Sequence, residues 1–224
     1  MKRTFRYLPL LALPLLGTQF ARGQAAVDIN LGFGSLHDKA NNGGFDSAAS
    51  LSNPFGACVP NSGDATCESL PALNGFFLGF GGDVMFKQKF GAGFNASVQP
   101  SRENYGPFLS RETFYDVDGI YQPITQKRFA LRLQGGIGAA RTSLAVNESN
   151  CTGTTACGVS TLPVGNVSHF DVHFAAGVQI YVTEHVFIRP EFDLHYAPGL
   201  DNQFGSNLVP GGMIWIGYNI GHNQ

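Results

Sequence analysis

The stretch VFIRPEFDLHY, residues 186–196, alternates along its length. Val186, Ile188, Phe192 and Leu194 are lipophilic, whereas Arg189, Glu191, Asp193 and His195 are charged or titratable. Successive side chains of a strand point to opposite faces, so this pattern predicts a β-strand between one oily and one ionic environment. In a soluble sandwich or barrel the oily face packs inward and the ionic face meets water. In a membrane barrel the assignment inverts, with oil outside and charge within. The rest of the chain decides between them.

The chain begins MKRTFRY, a short basic segment, followed by the apolar run LPLLALPLLGTQF and the small residues of ARGQAA. That order is the pattern of a secretory signal peptide over residues 1–25, with cleavage expected after Ala25 and Gly23 as the alternative. No later stretch approaches the ~20 continuous apolar residues of a membrane helix. The remaining 26–224 fit one all-β domain. Only 13% of the 224 residues are charged, against a usual ~25%, and Gly (29) and Phe (19) are abundant, so little charge is left for a water-facing surface. A formal net charge of -2 offers no basic patch for nucleic acid. Behind a signal peptide, Cys58, Cys67, Cys151 and Cys157 read as the cysteines of an oxidising compartment. Of the possible pairings, Cys58 with Cys67 and Cys151 with Cys157 are favoured, because each closes a short loop worth roughly 2–3 kcal/mol.

Period-two segments occur at 27–34, 75–86, 90–99, 111–121, 127–142, 168–182, 186–196 and 208–220. In the sixth, Phe170, Val172, Phe174, Val178 and Ile180 oppose His169, Asp171, His173, Gly177 and Gln179. A soluble β protein dresses its outer face with Lys, Glu and Thr. Here the polar face is Gly, Ser, Asn, Asp, Arg and His, which suits the narrow interior of an eight-stranded ring. The connections alternate as well: those near 87–89, 122–126 and 183–185 are tight, and the others are long, the first spanning 35–74. Tight turns at one end and long loops at the other is the build of an outer-membrane barrel, with the turns in the periplasm and the loops outside the cell. The fold class expected is therefore an all-β, eight-stranded antiparallel up-and-down transmembrane β-barrel. Phe170, Val172, Phe174, Ile188, Phe192 and Leu194 are expected to face lipid.

The strand FIRPEFDLHY, with its inward Arg189 and Glu191, and the closing strand GGMIWIGYNIG resemble those of small outer-membrane barrels of the OmpA and OmpX type. The resemblance covers roughly residues 26–220. It implies residence in the bacterial outer membrane, contact with outer-membrane lipid and lipopolysaccharide, assembly by the outer-membrane insertion machinery, and a monomer.

Concentrated chemistry is confined to the inward ionic set: Asp83, Glu112, Asp116, Asp118, Arg132, Asp171, His173, Arg189, Glu191, Asp193 and His195. Buried charges must be paired, so the expectation is a salt-bridged network filling the lumen, with Arg132 close to Asp116 or Asp118. A three-residue turn centred on Glu184 sets His173 across from His195, with Asp171 and Asp193 on the same face. Imidazole with carboxylate is a metal-binding combination, but such pairs are also ordinary members of polar networks, and no metal or cofactor is assigned. No catalytic residue is assigned either: Ser168 and His169 are neighbours on a strand and point to opposite faces. The chain is thus expected to be a non-catalytic envelope component, structural or acting through its loops in adhesion or recognition. The alternatives are a small-solute channel and a secreted soluble barrel holding a lipophilic ligand.

Overall fold

The computed structural model describes residues 26–39, 43–46, 57–58, 63, 66–87, 89–152 and 156–221. The segment 1–25, read as a leader, lies outside them. Among the described residues eight strands form the ring: β1 (Ala26–His37), β2 (Asn74–Lys87), β3 (Phe90–Val98), β4 (Phe108–Thr125), β5 (Phe129–Thr152), β6 (Ala156–Tyr181), β7 (Val186–Tyr196) and β8 (Leu208–Ile220). Each pairs antiparallel with the next. The ring closes where β8 returns to β1, in register from Val27↔Ile220 to Leu36↔Gly211. Closure leaves no open sheet edge, the requirement for strands in hydrocarbon.

The faces sort as a membrane barrel demands. Ile29, Leu31, Phe80, Phe170, Phe174 and Ile216 stand exposed on the outside, Leu31 at 68%. Phe192 is 55% exposed and Ile188 38%, while Val172 and Leu194, also outward, are half-buried between neighbours. The inward alternates on the same strands are buried, and many of them are charged. Buried charge within and exposed aromatic and aliphatic side chains without is stable only where the outer solvent is lipid.

The N-terminal end of β1, the C-terminal end of β8 and the tight turns after β2, β4 and β6 share one end of the ring. The third of these turns is closed by Val186 O, which accepts from Val182 N at 2.9 Å. At this end a vestibule of about 670 Å³ opens, lined among others by Asp28, Gln122, Arg128, Tyr181 and Asn219. The opposite end is plugged. Leu36, Phe45, Leu70, Leu73, Tyr105, Phe108, Leu144, Leu200 and Phe204 form one buried apolar cluster there with Phe77, Phe114 and Trp215 below them. Tyr105 packs 4.9 Å from Phe45 and edge-on to Phe204, and its hydroxyl donates to Gln203 O at 2.6 Å. Asp38 clamps the plug: its carboxylate accepts from Leu73 N at 2.6 Å and Ser206 N at 3.1 Å, joining the first loop to the last. Burial pushes that carboxyl above the usual carboxylate range, while the backbone N–H groups it accepts from hold it down.

Two expectations about connections are corrected. The fifth, read as a long loop, is a continuation of strand: the β5–β6 ladder runs from Phe129↔Ile180 to Thr152↔Ala156, with an irregularity between Pro163 and Gly165. Beyond Ala145 the β5 strand has run past its register partners on β4, so the ring's two environments no longer impose alternation on it. The fourth turn also shifts, since β4 runs on to Thr125 through an irregularity between Tyr121 and Ile124. In the first loop the Cys58–Cys67 disulfide is present. Cys151 and Cys157 stand opposite each other in the β5–β6 register, but their side chains lie outside the described residues.

Depth in the bilayer sets a prediction. Phe192 lies near the middle of the six outward positions of β7, and Ile188 lies nearer the short-turn end. Phe192→Arg should cost about 2–4 kcal/mol of folding stability and Ile188→Arg less, because the penalty falls toward the interface. Urea midpoints in lipid, read by heat-modifiable gel migration, give both values.

Candidate functional site in the barrel lumen

Period-two alternation on eight tilted strands delivers a charged side chain to the lumen at nearly every level, and the ring is too narrow for water to solvate them all. All eleven residues of the ionic set are buried, none more than 5% exposed. Ten of them join ion pairs. Glu112 stands apart: it is register partner to Thr142 on β5, and among the described residues no ion pair reaches it.

Toward the vestibule, Arg132 donates to Asp83 through both terminal nitrogens, Nη1 to Oδ1 at 3.1 Å and Nη2 to Oδ2 at 2.7 Å. Asp28 lies 3.9 Å from the same guanidinium and accepts from Asn219 at 2.6 Å and Gln179 at 3.4 Å. The expected proximity of Arg132 to Asp116 or Asp118 is therefore not found. Asp116 and Asp118 stand opposite Gly138 and Gly136 on β5, several residues along from Arg132, whose long side chain instead crosses the lumen to β1 and β2.

At mid-lumen Arg189 Nε is 3.0 Å from Glu191 Oε2. The guanidinium also lies 5.5 Å from the Trp215 ring and 6.0 Å from Phe187, which supplies cation–π attraction in a dry setting. Gln134 bridges Glu191 and Arg132. Trp215 fits only because its neighbours are glycines: a Cβ at Gly32 would lie 2.6 Å from the indole and one at Gly79 2.5 Å.

Above these, the imidazoles of His173 and His195 stack at 4.6 Å, from cross-strand partners on β6 and β7. His173 Nδ1 is 2.9 Å from Asp118 and Nε2 3.4 Å from Asp193. Both nitrogens of that ring thus face carboxyl groups from neighbouring strands. His195 Nδ1 is 2.6 Å from Asp171 and 3.9 Å from Asp116, and its other face rests on Phe114 at 4.3 Å.

The pattern supports cross-linking by charge and supplies no nucleophile paired with a base. Ser168 is exposed on the outer face, whereas His169 points inward to Gln203 Oε1 at 2.6 Å. Sequence reasoning missed Asp28, Asn30, Asn95, Gln179 and Asn219, which complete the network. Asp28 and Asn30 were within its reach, since they alternate with Val27, Ile29 and Leu31.

No family model matches the chain. No curated protein is significantly similar to it in sequence. Among solved structures, the chain is similar to the attachment invasion locus protein Ail of Yersinia pestis, in complex with the heparin analogue sucrose octasulfate, at 11% identity and a TM-score of 0.48, over 88% of this chain and 99% of that one. It is similar to the outer-membrane protein OprG of Pseudomonas aeruginosa at 13% identity and a TM-score of 0.48, over 90% and 98%. Neisserial surface protein A matches at 12% identity and a TM-score of 0.47, over 88% and 96%. The closed ring, its oily exterior and its ionic interior decide the class on their own. The chain is a small eight-stranded outer-membrane β-barrel.

The pairing energetics of this barrel are testable at Arg132. Arg132→Met strands Asp83 and Asp28 in the lumen and should cost about 3–5 kcal/mol, the usual penalty for breaking a buried pair from one side. Adding Asp83→Leu should recover part of that loss. Urea titrations of the two variants in lipid make the comparison.

Proposed function

We propose that this barrel is a non-catalytic component of the outer membrane, with its lumen sealed and its working surface at the long-loop end, where it acts in adhesion or recognition. The observation that carries this reading is the plug: an apolar layer centred on Phe45, Tyr105, Leu200 and Phe204 lies over the ionic layer, so the vestibule at the short-turn end is blind. A sealed lumen argues against a steady solute path and leaves the loop end as the surface available for work. The β5–β6 ribbon strengthens the case. From Val146↔Leu162 to Thr152↔Ala156, no further strand among the described residues pairs with it. Seven residue pairs at ~3.3 Å per residue carry it about 20 Å past the ring. A projecting ribbon of this kind is suited to engaging another chain or a glycan. On this reading the short turns face the periplasm, the outer girdle contacts lipid and lipopolysaccharide, residues 1–25 direct export, and the barrel is inserted by the outer-membrane machinery as a monomer.

Purified barrel in a planar bilayer should give no steady current, whereas reproducible large channels from the monomer contradict the sealed lumen. Excising residues 147–161 should leave the heat-modifiable fold within about 0.5 kcal/mol of the parent, as for surface changes remote from the core. The same excision should abolish binding of expressing cells to a panel of glycans and matrix proteins. Unchanged binding by the trimmed barrel contradicts the role given to the ribbon.

A further inference from the structure

We propose that Asp116, Asp171 and His195 form a buried site for one divalent first-row transition cation of the zinc class, tying β4, β6 and β7 together inside the lumen. Three observations carry this.

The first is how the residues come together. Asp116 on β4 and Asp171 on β6 are both register partners of Gly138 on the intervening strand β5. A Cβ at Gly138 would collide with the backbone carbonyl of Tyr115 and with Asp116 Oδ1, so the glycine leaves room between two carboxyls from strands two apart. His195 reaches the same point from β7, and one ligating atom from each of the three residues lies within 4.8 Å of the others.

The second is unmet bonding. Asp116 is 3% exposed and Asp171 fully buried, and Oδ1 of each has no donor from another residue, leaving the two carboxyls only each other. A buried carboxylate oxygen without a partner is costly, and native interiors rarely leave one so.

The third is charge. The other two carboxylates of this layer, Asp118 and Asp193, already occupy both ring nitrogens of His173. Asp116 and Asp171 are left to share the single Nδ1 of His195. A proton there supplies one positive charge for two negative ones, whereas a divalent cation in its place supplies two and takes up the vacant carboxylate oxygens.

One imidazole nitrogen and two carboxylate oxygens are a borderline donor set, suited to zinc and its neighbours rather than to calcium or magnesium. His195 is held edge-on by its stacking between His173 and Phe114. Bond lengths of about 2.0–2.2 Å from metal to ligand require the present 2.6 Å contact between His195 and Asp171 to open by under about 1 Å. The set differs from the one suggested by the sequence: Asp116 enters, while His173 and Asp193 serve beside it, orienting the stacked ring.

The test uses the full-length barrel without a histidine tag, folded into lipid from urea with Zn²⁺ or with EDTA, then freed of loose metal and assayed by mass spectrometry and zinc X-ray absorption. The Zn²⁺-folded barrel should retain about one zinc per chain, ligated by one imidazole and by oxygen, since such sites form with folding. His195→Gln and Asp171→Asn should lower retained zinc by about tenfold or more, the scale on which even supporting residues of a metal site act. If the ligand variants do not fold, the parent's stoichiometry and absorption spectrum decide alone. A folded parent without zinc overturns the proposal and favours a proton shared between the carboxyls. Zinc kept undiminished by folded His195→Gln overturns it as well, by assigning the metal to histidines elsewhere.

Discussion

Everything in the lumen depends on one constraint: a charge placed inside an eight-stranded ring must find its counter-charge across the ring, because little else is there to solvate it. Arg132 shows the consequence most directly. Its guanidinium leaves β5, crosses the interior and meets Asp83 on β2 and Asp28 on β1, so three strands are joined by one side chain. Asn30, Asn219, Gln134 and Gln179 occupy remaining donor and acceptor positions of the same group. In a soluble core such a network would compete with a better-packed apolar alternative. Here the apolar residues are drawn to the outer face by lipid, and the polar ones have only each other.

The glycines are the complement of that crowding. Gly32 and Gly79 admit Trp215, and Gly136 and Gly138 leave room for the carboxyls of Asp118 and Asp116. A narrow ring can hold two arginines, two histidines and a tryptophan only if the residues facing them are minimal. The glycines of the inner face are therefore set by the side chains they accommodate.

What could be read from the chain follows from which interactions are local. The strands around Phe170–Ile180 and Ile188–Leu194 were legible because lipid on one side and charge on the other impose strict alternation. The facing of His173 and His195 was legible because a short turn sets the register between β6 and β7. The partners of Arg132 were not, since they depend on where distant strands fall across the lumen. The ribbon beyond Ala145 escaped because it runs past its β4 partners, where the ring no longer demands alternation. The plug escaped for another reason: Phe45, Leu70, Leu73 and Phe204 belong to the segments that join the ring strands, where burial comes from tertiary folding over the barrel mouth.

The central claim is that the faces are inverted, oil outward and charge inward. Methyl NMR of the barrel in lipid nanodiscs tests it without any substitution. Nuclear Overhauser contacts from lipid acyl chains should reach the methyl groups of Ile29, Leu31, Ile188, Ile214 and Ile216, and should be absent at Ala130, Ala175 and Met213. Acyl-chain contacts at the inward methyls, or water contacts at the outward isoleucines, would contradict the account.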